Sequence, residues 1–212
     1  MTTTRETALF DARALRVRSA GEVVSVPVRT AEGVLADGEK QLLALELCGA
    51  ESADAWAGFV DAPTGPGLKA PLLRIIDGKA GLRRAVGSAW PQAAVHRCCV
   101  HKLRNLERKA PKHALAELRD DFHRIVYAAS GESAQAAYTA CERKWSERCP
   151  GVARRLAEGD EELLTFFHFP KAQWKTLRTT NAIERLNEEF RRRVKTQPLL
   201  CHLFPGAQLR QL

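Results

Sequence analysis

A chain of 212 residues suffices for one well-filled core or two small ones, and 45% hydrophobic against 27% charged residues places it among globular proteins. Lys and Arg exceed Asp and Glu by 33 − 25 = 8, with the excess gathered in residues 97–112 and 185–195, which favours a polyanionic partner. There is no run of about 18 apolar residues to span a membrane and no signal-peptide core at the start, and six cysteines without dense regular spacing read as reduced thiols, so a cytoplasmic protein is expected.

In chain order, residues 9–17, then Val23, Val24, Val26 and Val28, then Leu42, Leu43, Leu45 and Leu47 predict three strands in an antiparallel meander, with a turn at 36–39. Residues 52–60 read as a helix with Ser52 as a candidate N-cap. A Pro/Gly-rich loop at 61–67 leads into a buried strand at 72–76. Asp77 stands where that strand stops, and Gly78 and Gly81 bracket a turn into a helix at 81–90. Residues 93–100 predict a fifth strand.

This order gives an α/β fold built on a mixed five-stranded sheet. From His101 onward the pattern becomes helical. Leu103, Leu106 and Ala110 share a face, and Leu115, Leu118, Phe122, Ile125 and Val126 repeat at helical spacing. Residues 134–145, 161–167 and 181–194 add helices, the last with Ile183, Leu186, Phe190 and Val194 on one side. Trp145 reads as a core residue.

Three carboxylates stand out. Asp77 ends a strand, the position that faces the ligand crevice in open α/β sheets. Asp11 lies on the first strand. Glu184 sits in the first turn of a helix that ends in Arg191, Arg192, Arg193 and Lys195, cations suited to phosphate contact. Each has a plainer reading: Asp77 as a turn residue, Asp11 as an acidic residue beside a strand, and Glu184 as the partner of Asn181 in a capping box. The four cations could equally be a solvated face at a helix C-terminus. Cutting a phosphodiester requires an activated water or hydroxyl and a stabilised leaving oxygen. Carboxylates distant in sequence but gathered at one sheet edge can hold divalent metals for both tasks.

The segments IIDGKAGL around Asp77, WPQAAVHRCCVHKLRNL from Trp90 and TTNAIERLNEEFRRRVKT from Thr179 resemble the mutator-type transposases of bacterial insertion sequences, within the DDE transposase and ribonuclease H-like superfamily. LFDARALRVR and LELCGAES follow the same order more weakly. The resemblance covers roughly residues 9–196.

It implies a ribonuclease H-like core over residues 1–100, an α-helical insertion domain over 101–178, and a helix over 179–196 that completes the core. Asp11, Asp77 and Glu184 would be the metal-binding catalytic triad for Mg²⁺ or Mn²⁺, and Cys98 with His101 the insertion-domain C-x-x-H pair. A structural zinc at that pair would need ligands that are not evident, so packing and polar contacts near the active site are the expected role. The implied activity is strand cleavage at the ends of an insertion sequence, followed by strand transfer. The implied partners are DNA at element ends and target, and further copies of the chain in a synaptic complex, with no membrane and a nucleoid-associated location.

Several features depart from the family pattern. Ten residues precede Asp11, where relatives carry a helical DNA-binding region, and residues 197–212 form an irregular divergent tail. Pro63 and Pro66 interrupt the approach to the fourth strand, and His96 stands where glutamine is common. A truncated catalytic core is therefore expected, with a catalytically inactive remnant that binds DNA nonspecifically or interferes with intact transposase as the alternative.

Overall fold

The computed structural model describes residues 5–19, 22–35, 40–47, 53–61 and 70–178, with Glu188 and Arg192. Strands β1 (Arg5–Ser19), β2 (Glu22–Leu35) and β3 (Lys40–Leu47) form the expected antiparallel meander. Strand β4 (Leu73–Ile76) then pairs in parallel with β1, and β5 (Ala94–Arg97) in parallel with β4. The result is a mixed five-stranded sheet in the order β3-β2-β1-β4-β5. Helices α1 (Ala53–Asp61) and α2 (Ala80–Ala89) accompany it.

Period-two alternation divides the sheet residues between two cores. Phe10 of β1 and Ile76 of β4 pack with Trp56, Phe59 and Val60 of α1 and with Leu82 and Val86 of α2. Leu9 and Ile75, each one residue earlier, face the opposite way and join a second core built mainly from later helices. Arg74, almost fully buried in β4, fastens α2 to the sheet by donating to the carbonyls of Val86 and Ala93.

The second layer comprises α3 (Cys99–Glu107), α4 (Leu115–Val126), α5 (Gly131–Arg148), α6 (Pro150–Ala157), α7 (Asp160–Leu164) and α8 (Trp174–Leu177). Leu106, Leu118, Phe122, Ile125, Trp145 and Leu156 share one buried cluster with Leu9, Leu73 and Ile75, so this layer is continuous with the sheet. Trp145 is core, as expected: its indole N–H donates to Asp121 at 3.0 Å, and Lys144 and Arg124 also pair with that carboxylate.

Some boundaries differ from the sequence pattern for identifiable reasons. Strand β5 stops at Arg97 instead of reaching Val100. The Cys98 N–H makes a last bond to the Ile76 carbonyl (2.9 Å), while the Cys98 carbonyl accepts the Lys102 N–H (3.0 Å) and opens α3. Helix α5 begins before Ala134 because Ser130 and Ser133 form a reciprocal cap, each side chain bonded to the other's backbone N–H. Helix α6 was not evident from periodicity. It starts with Pro150 at its first position, where the missing N–H has no intrahelical partner to lose. The segment 161–167 splits into α7 and a 3₁₀ turn at Thr165–His168. The predicted 181–194 helix lies outside the described residues except for Glu188 and Arg192, both helical and exposed.

Lys102 links α3 to α6 from a fully buried position. Its ammonium donates to the carbonyls of Arg155 and Glu158, each at 2.6 Å, at the C-terminal end of α6 where backbone acceptors lack intrahelical donors. Lys102→Met keeps the stem and removes both charge-assisted bonds. With relief from burying the ammonium set against them, the expected loss is about 2 kcal/mol, roughly 5 °C in Tm. Thermal unfolding followed by circular dichroism checks it, and an unchanged Tm would show that water replaces the ammonium without cost.

Candidate functional site

The parallel pairing of β1 with β4 matches Leu9 to Ile75, an offset of 66 residues. Two residues further along the same register come Asp11 and Asp77, with the same offset. The pairing of β4 with β5 matches Ile76 to Arg97, so Cys98 follows Asp77 in the next row. Asp11, Asp77 and Cys98 thus stand side by side where three parallel strands point toward α3. Alternation puts Asp11 and Asp77 on the Leu9 and Ile75 side, facing the helical layer.

Both carboxylates are shielded from solvent, Asp11 at 1% and Asp77 at 7% exposure. The Lys79 N–H donates to Asp77 Oδ1 at 2.9 Å, and the Lys79 ammonium lies 3.9 Å from Oδ2. One turn into α3, His101 Nε2 comes to 3.7 Å from Asp11 Oδ1. The C-x-x-H spacing follows from this arrangement. Cys98 ends the strand and is fully buried in the core, and three residues of helix carry His101 to the carboxylate.

Gly78 turns the chain out of β4 with φ +88°, a left-handed conformation that glycine adopts without a Cβ penalty. The space is needed as well, because a Cβ there would sit 2.6 Å from Cζ of Arg97. Arg97 lies across Gly78 and donates to the Glu158 carbonyl at 2.6 Å, joining the Asp77 turn to the end of α6. Burial chiefly lowers the Arg97 pKa, with a smaller contribution from repulsion by Arg155; Glu162, Glu158 and Asp77 act in the opposite direction.

Over Asp77 and His101 opens a cleft of about 550 Å³. Its walls carry Lys79, Arg97, Arg104, Arg108 and Arg155, against the carboxylates of Asp77 and Glu158. Buried acids beneath a cationic rim can bind a polyanion along the rim and a cation at the floor.

Of the residues singled out from sequence, the fold brings Asp11, Asp77 and His101 together and places Cys98 beside them. Glu184, Arg191, Arg193 and Lys195 lie outside the described residues, as does the 197–212 tail; Arg192 is exposed. Among the described residues no group of three His, Cys, Asp or Glu forms a metal cluster, Cys98, Cys99, Cys141 and Cys149 are free thiols, and no helix is long and apolar enough to cross a membrane. Sequence reasoning did not single out Arg97, Arg104, Arg108 and Arg155. Three of them fall in the basic 97–112 stretch, where His101, Arg104, Asn105 and Arg108 recur at helical spacing, and that period was the available signal.

Known proteins match most of the chain. The family model "Transposase, Mutator family" matches residues 6–209. The chain is 40% identical over 204 residues to the transposase for insertion sequence element ISRM5 of Rhizobium meliloti, covering 94% of this chain and 49% of that protein. It is 36% identical over 183 residues to the IS1081 transposase of Mycobacterium tuberculosis, covering 86% and 44%. The IS905 transposase of Lactococcus lactis is 31% identical over 179 residues, covering 84% and 46%. The chain therefore spans about half the length of the curated relatives it matches. With the motifs distributed over most of its length, the chain belongs to the Mutator family of transposases.

Proposed function

We propose that this chain is the catalytic core of an insertion-sequence transposase, carrying out metal-dependent DNA strand cleavage and strand transfer on a ribonuclease H-like fold. The observation that carries the proposal is the shared register of Asp11 and Asp77 beneath a cationic cleft. The strand order β3-β2-β1-β4-β5, with a meander followed by parallel β4 and β5, supports the fold reading.

The pair fits a hard divalent cation such as Mg²⁺ or Mn²⁺. Two shielded carboxylates carried side by side on adjacent strands offer hard oxygen ligands, with His101 Nε2 3.7 Å from Asp11 and the Lys79 ammonium 3.9 Å from Asp77. Asp11, Asp77 and, in this proposal, Glu184 would hold the metal. When bound, it would activate the attacking oxygen and stabilise the leaving one.

Arg178, six residues before Glu184, lies beside the site: its carbonyl accepts the Cys99 N–H at 2.9 Å, at the start of the helix that carries His101. The remaining roles fall to residues already in place. Lys79 and His101 orient the two carboxylates, Arg97 holds the Asp77 turn, and the cleft cations take the DNA backbone.

The test is nicking of supercoiled plasmid. The chain is expected to nick in Mg²⁺ or Mn²⁺ and to stop when EDTA removes the metal. Absence of nicking in either metal would leave a chain that binds DNA without cutting it.

A further inference from the structure

We propose that Arg104 of α3 and Arg108 at its C-terminal cap, with Arg155 of α6, form a phosphate-binding track that seats the backbone of the DNA strand leading away from Asp11 and Asp77. This inference rests on reading that pair as the catalytic carboxylates.

His101, Arg104, Asn105 and Arg108 lie at i, i+3, i+4 and i+7, one stripe along α3 and its C-terminal cap, and all four line the cleft. The stripe begins at the acids, since His101 touches Asp11. Arg104 and Arg108 are one turn apart, about 6 Å along the axis, which suits contacts to successive phosphates of one strand.

The buried Lys102 ammonium locks α3 to the end of α6 by two bonds, and one of its acceptors is the carbonyl of Arg155 itself. Both walls of the cleft are thereby fixed, so a strand entering it meets preplaced cations and loses little freedom in the protein.

Five Lys or Arg side chains line the cleft against two carboxylates, and Arg97 and Arg155 repel one another across it. A phosphodiester between them relieves that repulsion. Glu158 Oε2 accepts from Arg155 at 2.6 Å, so Arg155 enters the track by exchanging a carboxylate for a phosphate. Arg104 and Arg108 are exposed. A continuous track differs from a generally basic surface because neutralising it should remove a defined number of contacts.

The experiment measures anisotropy of a fluorescein-labelled 30-base-pair duplex across a salt series, with EDTA present to prevent cutting. R104A/R108A is expected to lower the slope of log K against log salt by about 2, and to weaken binding about fiftyfold at 0.1 M salt, at roughly 0.9 per phosphate contact. R104K/R108K keeps the charges and should restore most of the slope. K112A/R143A removes two exposed cations outside the cleft and should change the slope by less than about half a unit.

An unchanged slope in R104A/R108A overturns the track, as does an equal loss in K112A/R143A. Thermal unfolding of each variant checks that these surface changes leave the fold intact. The nicking assay keeps the two claims separate. A lowered slope without nicking in the parent keeps the track and removes the catalytic reading, whereas nicking with an unchanged slope does the reverse.

Discussion

Asp77→Asn is expected to reduce metal-dependent nicking about a thousandfold while leaving DNA binding close to that of the parent. Asparagine keeps the size of the side chain and retains an oxygen that can accept the Lys79 N–H, so the turn through Gly78 should survive. What it removes is one negative charge from a shielded site. A metal bound there would contribute several kcal/mol of charge stabilisation in the transition state, and about 4 kcal/mol corresponds to three orders of magnitude in rate.

DNA binding should persist because its contacts come from the cationic rim, including Arg104 and Arg108, and losing a carboxylate from the floor makes the cleft more positive. The measurement is the initial rate of plasmid nicking at saturating Mn²⁺ beside anisotropy with the labelled duplex. Full nicking by a folded Asp77→Asn protein would return Asp77 to the plainer role of a turn residue. Loss of both activities together would point instead to collapse of the turn.

The site was partly legible because its residues obey local rules. Asp77 was visible as the end of an apolar run followed by glycine, a pattern a short strand imposes on its own sequence. Its pairing with Asp11 was expected from the family resemblance and not from the pattern of either segment, because register belongs to two distant segments and emerges only when Leu9 meets Ile75. The C-x-x-H pair was legible as a motif and illegible as a contact. One member is buried in the core and the other faces a carboxylate because Cys98 both closes the strand pairing and opens the helix, a junction that the spacing alone does not reveal.

Arg97 shows a different obstacle. In sequence it was one cation among many, yet its position over Gly78 depends on that glycine's left-handed backbone and on the Glu158 carbonyl, 61 residues away. Helix α6 escaped periodicity for a simpler reason: eight residues hold too few repeats of a 3.6-residue period to rise above noise.

Stability between pH 7 and pH 5 is expected to fall by about 2 kcal/mol in the parent through His96 alone, and a His96→Gln variant should lack that part of the loss. The imidazole is wholly buried, against the edge of the Phe166 ring at 5.2 Å and with Cys99 Sγ 4.0 Å away. Burial in these surroundings lowers its pKa from 6.5 to about 4, outweighing the backbone carbonyls of Glu162 and Arg178 that favour the charged form. A lowered pKa means that the unfolded chain binds the proton more tightly than the folded one. The stabilising contribution is therefore complete above about pH 6.5 and is lost as pH falls toward 4, where it reaches a limit of about 3 kcal/mol. Neutral His96 donates one ring N–H to the Glu162 carbonyl at 2.9 Å, whereas the Arg178 carbonyl stands at 3.5 Å from the other nitrogen. Glutamine offers two amide donors and never ionises, so it can satisfy the same carbonyls at any pH. Urea unfolding of parent and variant at pH 7 and pH 5 isolates the effect, because every other titrating group is common to both. Equal pH dependence in the two proteins would mean that His96 accepts its proton in place, through water or a local opening between β5 and the helical layer.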